Sequence, residues 1–399
     1  MVRYCIIYYF YMINRHIAQE LKRLLKEYPV VTILGPRQAG KTTLARGVLD
    51  GYEYCNLEAP EIRQFAIDDP KAFLAQFRGE VILDEIQRVP ELLSYIQTIT
   101  DEKNRNGQFV LTGSHQLALR EAISQSLAGR TSVLNLYPFS ISELAEAGIF
   151  FERPEEFIYQ GFLPRIYDQK QRPTPAWSNY YQTYVERDVR QLINLKDFAL
   201  FEKFMKLLAG RVGQLMDYAS LANDVGVSAN TIKHWLSILE ASFIVYKLSP
   251  YFDNFGKRVV KSPKYYFIDT GLLAFLLGIE KPAQVSRDPL VGKMFENLIV
   301  IECLKTRSNQ GKLPNLYFFR DSNGNEVDIL FQNGRDLVAI EVKSSSTYSS
   351  SLLKGLKKIA VLSPRVSHSY LVYSGEFFEF SDGITALPYD QVNSIFPND

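Results

Sequence analysis

The run Val30–Leu34 followed by Gly35-Pro36-Arg37-Gln38-Ala39-Gly40-Lys41-Thr42 constrains this chain more than any other stretch. An apolar segment that stops on glycine, reaches a second glycine and continues Lys-Thr reads as strand, tight loop and helix. The glycines let backbone amides wrap an anion. The helix start adds free N–H groups and a positive dipole end. Lys41 is placed to reach the β- and γ-phosphates of a nucleotide, and the Thr42 hydroxyl to ligate magnesium. The candidate nucleotide-binding residues are therefore Gly35, Pro36, Arg37, Gln38, Ala39, Gly40, Lys41, Thr42 and Thr43, with ATP and Mg2+ as the expected cofactors. Such a unit belongs to a parallel sheet covered by helices, so an α/β domain is required.

The neighbouring sequence completes a site. Glu80-Val81-Ile82-Leu83-Asp84-Glu85 is an apolar strand ending in two acids. Asp84 is expected to hold magnesium, and Glu85 to polarise the attacking water as general base. A third strand, Phe109–Thr112, leads into Gly113 and Ser114. Thr112 and Ser114 both qualify as a polar sensor of the γ-phosphate, with Ser114 preferred. Arg130 is a candidate stabiliser of transition-state charge, acting in cis or, in a homo-oligomer, in trans. The intervening run Tyr52–Leu57 points to the additional-strand class of P-loop ATPases, which carry their own catalytic glutamate.

At 399 residues the chain has room for two or three domains. Residues 13–150 read as the P-loop ATPase domain, 151–270 as connector and winged helix, and 271–399 as a third unit. A net charge of +1 gives no global sign of a nucleic-acid or membrane partner, so any such sign must be local. The three cysteines are widely separated and fit a reducing cytoplasm. Met1–Met12 is apolar but too short for a stable membrane span, which takes about 20 residues. It reads as an extension ahead of an alternative start at Met12.

In the middle unit, Asp217–Val227 and Ser228–Leu236 give two short helices around Gly226, with Ser228 as N-cap. The following Lys247, Lys257, Arg258, Lys261 and Lys264 suggest a basic wing, and with the helix pair a DNA partner. The competing reading is a winged helix that faces only protein.

In the last unit, Asn333-Gly334 separates two strand-like runs, Glu326–Phe331 and Asp336–Lys343. A loop of just those two residues pairs Gln332 with Arg335 and Asp328 with Ala339. Asp328, Glu341 and Lys343 then share a face, with Asp328 diagonal to Glu341 at a Cα separation of about 7–8 Å. Val327, Ile329, Ile340 and Val342 take the other face. Two acids followed by lysine is the arrangement a metal-dependent phosphodiesterase needs, with magnesium on Asp328 and Glu341 and Lys343 beside the water. Glu296, on a largely apolar helix face, is the candidate third metal ligand. A hairpin with a solvated acidic face would have the same sequence.

Together the blocks Gly35–Thr43, Leu83–Pro90, Thr112–Ser114, Tyr184–Val189, Tyr266–Leu272 and Glu326–Lys343 resemble the prokaryotic AAA-type P-loop ATPases with a C-terminal domain of unknown function. That C-terminal domain resembles the PD-(D/E)xK nuclease superfamily. The resemblance implies an AAA-like, additional-strand ATPase domain, a winged-helix segment and a restriction-endonuclease-like α/β domain. Lys41, Thr42, Asp84 and Glu85 match the ATPase motifs, and Glu296, Asp328, Glu341 and Lys343 the nuclease motif. The expected function is magnesium-dependent ATP hydrolysis coupled to binding of, or action on, DNA, with metal-dependent DNA cleavage as a further activity. The alternative is a non-nucleolytic regulatory or signalling ATPase that uses the winged helix and nuclease-like fold as a binding platform.

Overall fold

The computed structural model describes residues 13–114, 117–189, 198–252 and 260–396. Met1–Met12, His115, Lys257 and Arg258 lie outside the described residues.

Five short apolar runs form one parallel sheet: β1 (Val30–Leu34), β2 (Glu53–Asn56), β3 (Val81–Asp84), β4 (Phe109–Gly113) and β5 (Thr131–Asn135), in the order β2-β3-β4-β1-β5. Alternation along β1 sends its side chains to two layers. Val31 and Ile33 pack with Leu21 and Leu24 of the helix Ile17–Glu27 and with Leu44 of the helix Lys41–Val48. Val30 and Leu34 join the larger core on the opposite face. Both faces are covered, which is why these strands read as continuous apolar runs rather than alternating ones.

One expectation changes here. The strand inserted between the phosphate-loop strand and the acidic strand is β4, whereas β2 stands at the sheet edge. The sequence places β2 between them only in chain order. Parallel strands need crossovers, so neighbours along the chain need not be neighbours in the sheet.

The second sheet has eight strands in the order β12-β13-β11-β10-β9-β8-β6-β7. They are β6 (Val245–Pro250), β7 (Lys264–Phe267), β8 (Leu316–Arg320), β9 (Glu326–Asn333), β10 (Asp336–Lys343), β11 (Val366–Tyr373), β12 (Phe378–Glu379) and β13 (Ile384–Pro388). The buried helix Val291–Asn309 packs on one face with Ile329, Ile340 and Val342. The helix Lys354–Leu362 packs on the other through Leu356 and Ile359 against Val327, Ala339 and Leu371.

The hairpin register differs from the expected one by two residues. Asn333 pairs with Asp336 and Ile329 with Ile340, so Gly334-Arg335 is the loop, with Gly334 at φ +60°. A shift of two keeps every side chain on its face, whereas a shift of one would have inverted them. It moves Asp328 from diagonal to directly across from Glu341, one step beyond the last paired residues. β9 also carries a bulge: from Tyr317 to Phe319 β8 advances two residues while β9 runs from Leu330 to Val327, three. Val327 therefore packs in a different layer from Ile329, contrary to strict alternation.

The helix pair of the middle unit is present as Tyr218–Val225 and Ala229–Ala241. Asp217 caps the first, Gly226 ends it at φ +96°, and Ser228 caps the second through the Thr231 N–H. The strands that follow are not a free wing. β6 pairs with β7 and also with β8, so the hairpin belongs to the eight-stranded sheet. Lys264 is buried between Glu296 and Glu326, at 3.1 and 2.6 Å, and is not available to a DNA phosphate. Of the expected basic residues in described positions, Lys261 is exposed and Lys247 half-buried. Among the described residues, no helix is long and apolar enough to cross a membrane.

Candidate functional site: a phosphate loop facing two acids

Parallel register builds the site. β1 runs beside β4 so that Leu34 lies level with Gly113, and β3 runs beside β4 with Leu83 level with Leu111. Gly35, Asp84, Glu85 and Ser114 thus leave the sheet at the same edge. Gly35 must be glycine because an added Cβ would lie 2.1 Å from the Leu136 carbonyl oxygen. Gly40 sits at φ +91° and opens the helix Lys41–Val48.

Lys41 is buried, and its Nζ donates to the carbonyls of Gly35 (3.0 Å) and Pro36 (2.9 Å). Burial pushes its pKa down to about 8, against the pull of Glu85 and Asp84. The Thr42 hydroxyl donates to Asp84 Oδ2 at 2.9 Å. The two expected magnesium ligands are therefore in contact, as an oxygen pair suited to a small hard cation. Thr112 donates to the other Asp84 oxygen. The exposed-edge residue Tyr54 donates to Oδ2 at 2.8 Å. Sequence reading missed Tyr54; its only signal was a tyrosine on the strand before the acidic one.

Glu85 occupies a left-handed backbone conformation, φ +59°, which costs a non-glycine residue about 1–3 kcal/mol. Its amide bonds Thr112 Oγ1 at 3.3 Å, and its carboxylate accepts from Gln87 and from Ser114 Oγ at 3.2 Å. The polar strand end thus touches both acids, Thr112 on Asp84 and Ser114 on Glu85.

Two cavities meet at the loop. One, of about 560 Å³, is lined by Arg37, Lys41, Thr42, Glu85, Arg165 and Tyr184 among others. The other, of about 390 Å³, is lined by Arg15, His16, Gln19, Gly47 and Phe139. Gly40, Thr43, Pro164 and Asp168 border both. The first carries Arg37, Lys41 and Arg165 beside the loop, cations that suit phosphates. Arg15, Arg165 and Asp168 come from segments without a motif, so no local pattern marked them.

Arg130 does not reach this site within its own chain. It precedes Thr131, which pairs with Val30 at the start of β1, so it lies at the sheet edge opposite the phosphate loop. There it forms a two-pronged pair with Asp101, at 2.5 and 2.9 Å.

The C-terminal acids Asp328 and Glu341 are close together, with a lysine beside both. Lys343 Nζ lies 2.7 Å from Glu341 and 3.5 Å from Asp328, where a bridging cation would sit. Glu296 accepts from Tyr266 (2.6 Å) and pairs with Lys264 (3.1 Å) and Lys293 (2.6 Å), which hold its carboxyl below the usual range despite burial. These three partners meet the charge of the carboxylate in this structure. Among the described residues, no group of three acidic, histidine or cysteine side chains is disposed to bind a metal. Burial, then the Asp328 charge, raises Glu341 to about 8. Glu341 Oε2 is buried without a hydrogen-bond partner.

The loop, the acidic strand and the parallel sheet define an AAA-type P-loop ATPase domain, and the AAA domain family matches residues 27–145. Two domains of unknown function, DUF8612 and DUF4143, match residues 152–283 and 291–392. Uncharacterized proteins of Mycobacterium tuberculosis and Mycobacterium bovis are each 31% identical over 383 residues, covering 95% of this chain and 84% of theirs. The chain belongs to the same family as these mycobacterial proteins. An uncharacterized protein of Haemophilus influenzae is 23% identical, covering 77% of this chain and 75% of its own length. Among solved structures, a Walker-type ATPase of Pyrococcus abyssi is similar with a TM-score of 0.41 and 17% identity, over 66% of this chain and 96% of that one.

Proposed function

We propose that the chain hydrolyses the β–γ bond of ATP with magnesium. The observation that carries this reading is the Thr42–Asp84 contact at 2.9 Å, beside a phosphate loop and one residue before Glu85. Lys41 leaves its carbonyl partners to meet the β- and γ-phosphates. Thr42 and Asp84 would hold magnesium, which supplies charge neutralisation of the phosphates when bound. Glu85, freed from Gln87 and Ser114, polarises the attacking water. Arg130 could stabilise developing charge only in trans, on a neighbouring copy. Lys41→Ala is expected to abolish saturable ATP binding and to lower turnover by about 100-fold or more. Unchanged magnesium-dependent turnover in that variant would remove the loop from the mechanism.

For the C-terminal half we favour the non-nucleolytic regulatory reading. Its support is the placement of Lys343 between Asp328 and Glu341 and the triple engagement of Glu296. The order of a long helix, three antiparallel strands β8–β9–β10, a helix and the parallel strand β11 fits the nuclease-like fold acting as a binding platform. DNA remains the proposed partner of the helix pair, whose second helix exposes Asn230, Lys233, His234 and Ser237. Supercoiled DNA incubated with Mg2+ or Mn2+, with and without ATP, should stay intact while being bound in a salt-sensitive manner. Nicking that disappears in Asp328→Ala and Glu341→Ala would overturn this assignment, and salt-insensitive or absent binding would remove DNA.

A further inference from the structure

Arg15 lies outside every nucleotide-binding motif, in the irregular segment before the helix Ile17–Glu27. Its side chain is only 8% exposed. All three guanidinium nitrogens have acceptors: Nη1 donates to the Ala39 carbonyl (2.9 Å), Nη2 to the Tyr137 carbonyl (2.6 Å) and Nε to Glu143 Oε1 (3.0 Å). Glu143 is itself buried and also accepts from the backbone N–H groups of His16 and Ser140. A buried guanidinium needs such saturation, and its planar fork fixes the direction of each bond.

Ala39 belongs to the phosphate loop. Among the described residues every peptide is trans, so the Ala39 C=O and the Gly40 N–H point in opposite directions across one plane. The carbonyl points at Arg15, which lines the smaller cavity and not the cavity of Lys41 and Thr42. The Gly40 N–H therefore points away from Arg15. Glycine at position 40, at φ +91°, tolerates backbone angles closed to other residues, so its own sterics do little to fix this peptide. A rotated peptide would present a carbonyl oxygen to the phosphates in place of a donor.

We propose that Arg15 is a positioning residue that holds the Ala39–Gly40 peptide with its N–H aimed at the nucleotide phosphates. Glu143 in turn fixes the guanidinium. The inference rests on the reading of this loop as an ATP site. It acts on an interaction made to phosphates in ground and transition states alike, so it governs KM rather than kcat.

The test uses the full chain and its Arg15→Lys and Arg15→Ala variants, with steady-state ATP turnover and binding of a fluorescent ATP analogue. Arg15→Lys keeps a charge for Glu143 but loses the planar fork that reaches the Ala39 and Tyr137 carbonyls from separate nitrogens. KM and Kd should rise about 10–100-fold, with kcat within about threefold of the parent. Millimolar guanidinium should restore part of the lost affinity in Arg15→Ala. A merely structural role would lower the melting temperature and kcat without moving KM, and guanidinium would not help. A folded Arg15→Lys variant with parental KM, or with reduced kcat at unchanged KM, overturns the proposal. If Arg15→Ala does not fold, Arg15→Lys carries the test. A parent chain that neither binds nor hydrolyses ATP removes the underlying ATP assignment as well, whereas an active parent with an unaltered Arg15→Lys variant removes this inference alone.

Discussion

At the scale of single residues, the two acidic sites differ in how their charges are met. Asp84 accepts hydrogen bonds from Thr42, Thr112 and Tyr54, three hydroxyls that satisfy a carboxylate without neutralising it. Glu296 is instead matched by two lysines and a phenol, and Lys264 is so enclosed by Glu296, Asp328 and Glu326 that their charges outweigh the burial that would lower its pKa. Glu341 is the poorly met acid, with burial and Asp328 raising its pKa from 4.5 to about 8. An acid raised on folding binds more protons in the folded state than in the unfolded one. Its contribution to stability is therefore complete below the unfolded pKa and declines as pH rises through the folded one. We expect Glu341→Gln to flatten the stability–pH profile between about 4.5 and about 8 and to raise the melting temperature near pH 8. A variant whose profile keeps the parental slope would show that Glu341 does not titrate there.

At the scale of elements, patterning fixed faces better than neighbours. The apolar runs at β1, β3 and β4 announced buried strands, and the phosphate loop announced the helix that follows. Nothing local said that β4 would slide between β1 and β3, or that the hairpin would turn at Gly334-Arg335 rather than Asn333-Gly334. Both outcomes preserve the burial of the same side chains, so a pattern of apolar residues cannot distinguish them. The bulge in β9 is invisible for a related reason, since it adds a residue without adding a distinctive one. Gly35 is the opposite case, where the residue type follows from the element packing. We expect Gly35→Ala to destabilise the protein by about 1–3 kcal/mol or more, because the new Cβ meets the backbone oxygen of Leu136 rather than a mobile side chain. Denaturant unfolding would measure it, and a change under about 0.5 kcal/mol would mean that the β1–β5 edge relaxes freely.

At the scale of the whole molecule, the ATPase sheet and the C-terminal unit are joined through the helix Val291–Asn309. Glu302 accepts from the Ile141 amide (2.8 Å), Lys305 donates to the Phe139 carbonyl (2.7 Å), and Ser308 donates to the Asn135 carbonyl (2.5 Å). These three carbonyl and amide groups lie at the end of β5 and on the segment that leaves it. Lys305 is fully buried, bonded to Glu302 at 2.8 Å and seated 3.6 Å from the Phe162 ring centre. Removing one partner of such a pair leaves a buried charge unmatched. We expect Lys305→Met to cost about 3–5 kcal/mol and to weaken the attachment of the ATPase unit to the C-terminal unit. Limited proteolysis and thermal unfolding would check this, the prediction failing if the melting temperature and cleavage pattern match the parent.

The sequence by itself determined the phosphate loop, the acids at the end of β3, the polar end of β4 and the helix pair around Gly226. Each is a local matter of backbone freedom, charge placement or capping. The tertiary structure alone decided what those residues face. It turned Arg130 to the far edge of the sheet, enclosed Glu296 among lysines, drew β6 and β7 into the C-terminal sheet and brought Arg15 under the phosphate loop. The physical reason is that charge pairing and strand neighbourhood depend on which distant segments the fold brings together. Residue spacing along one segment carries no record of that.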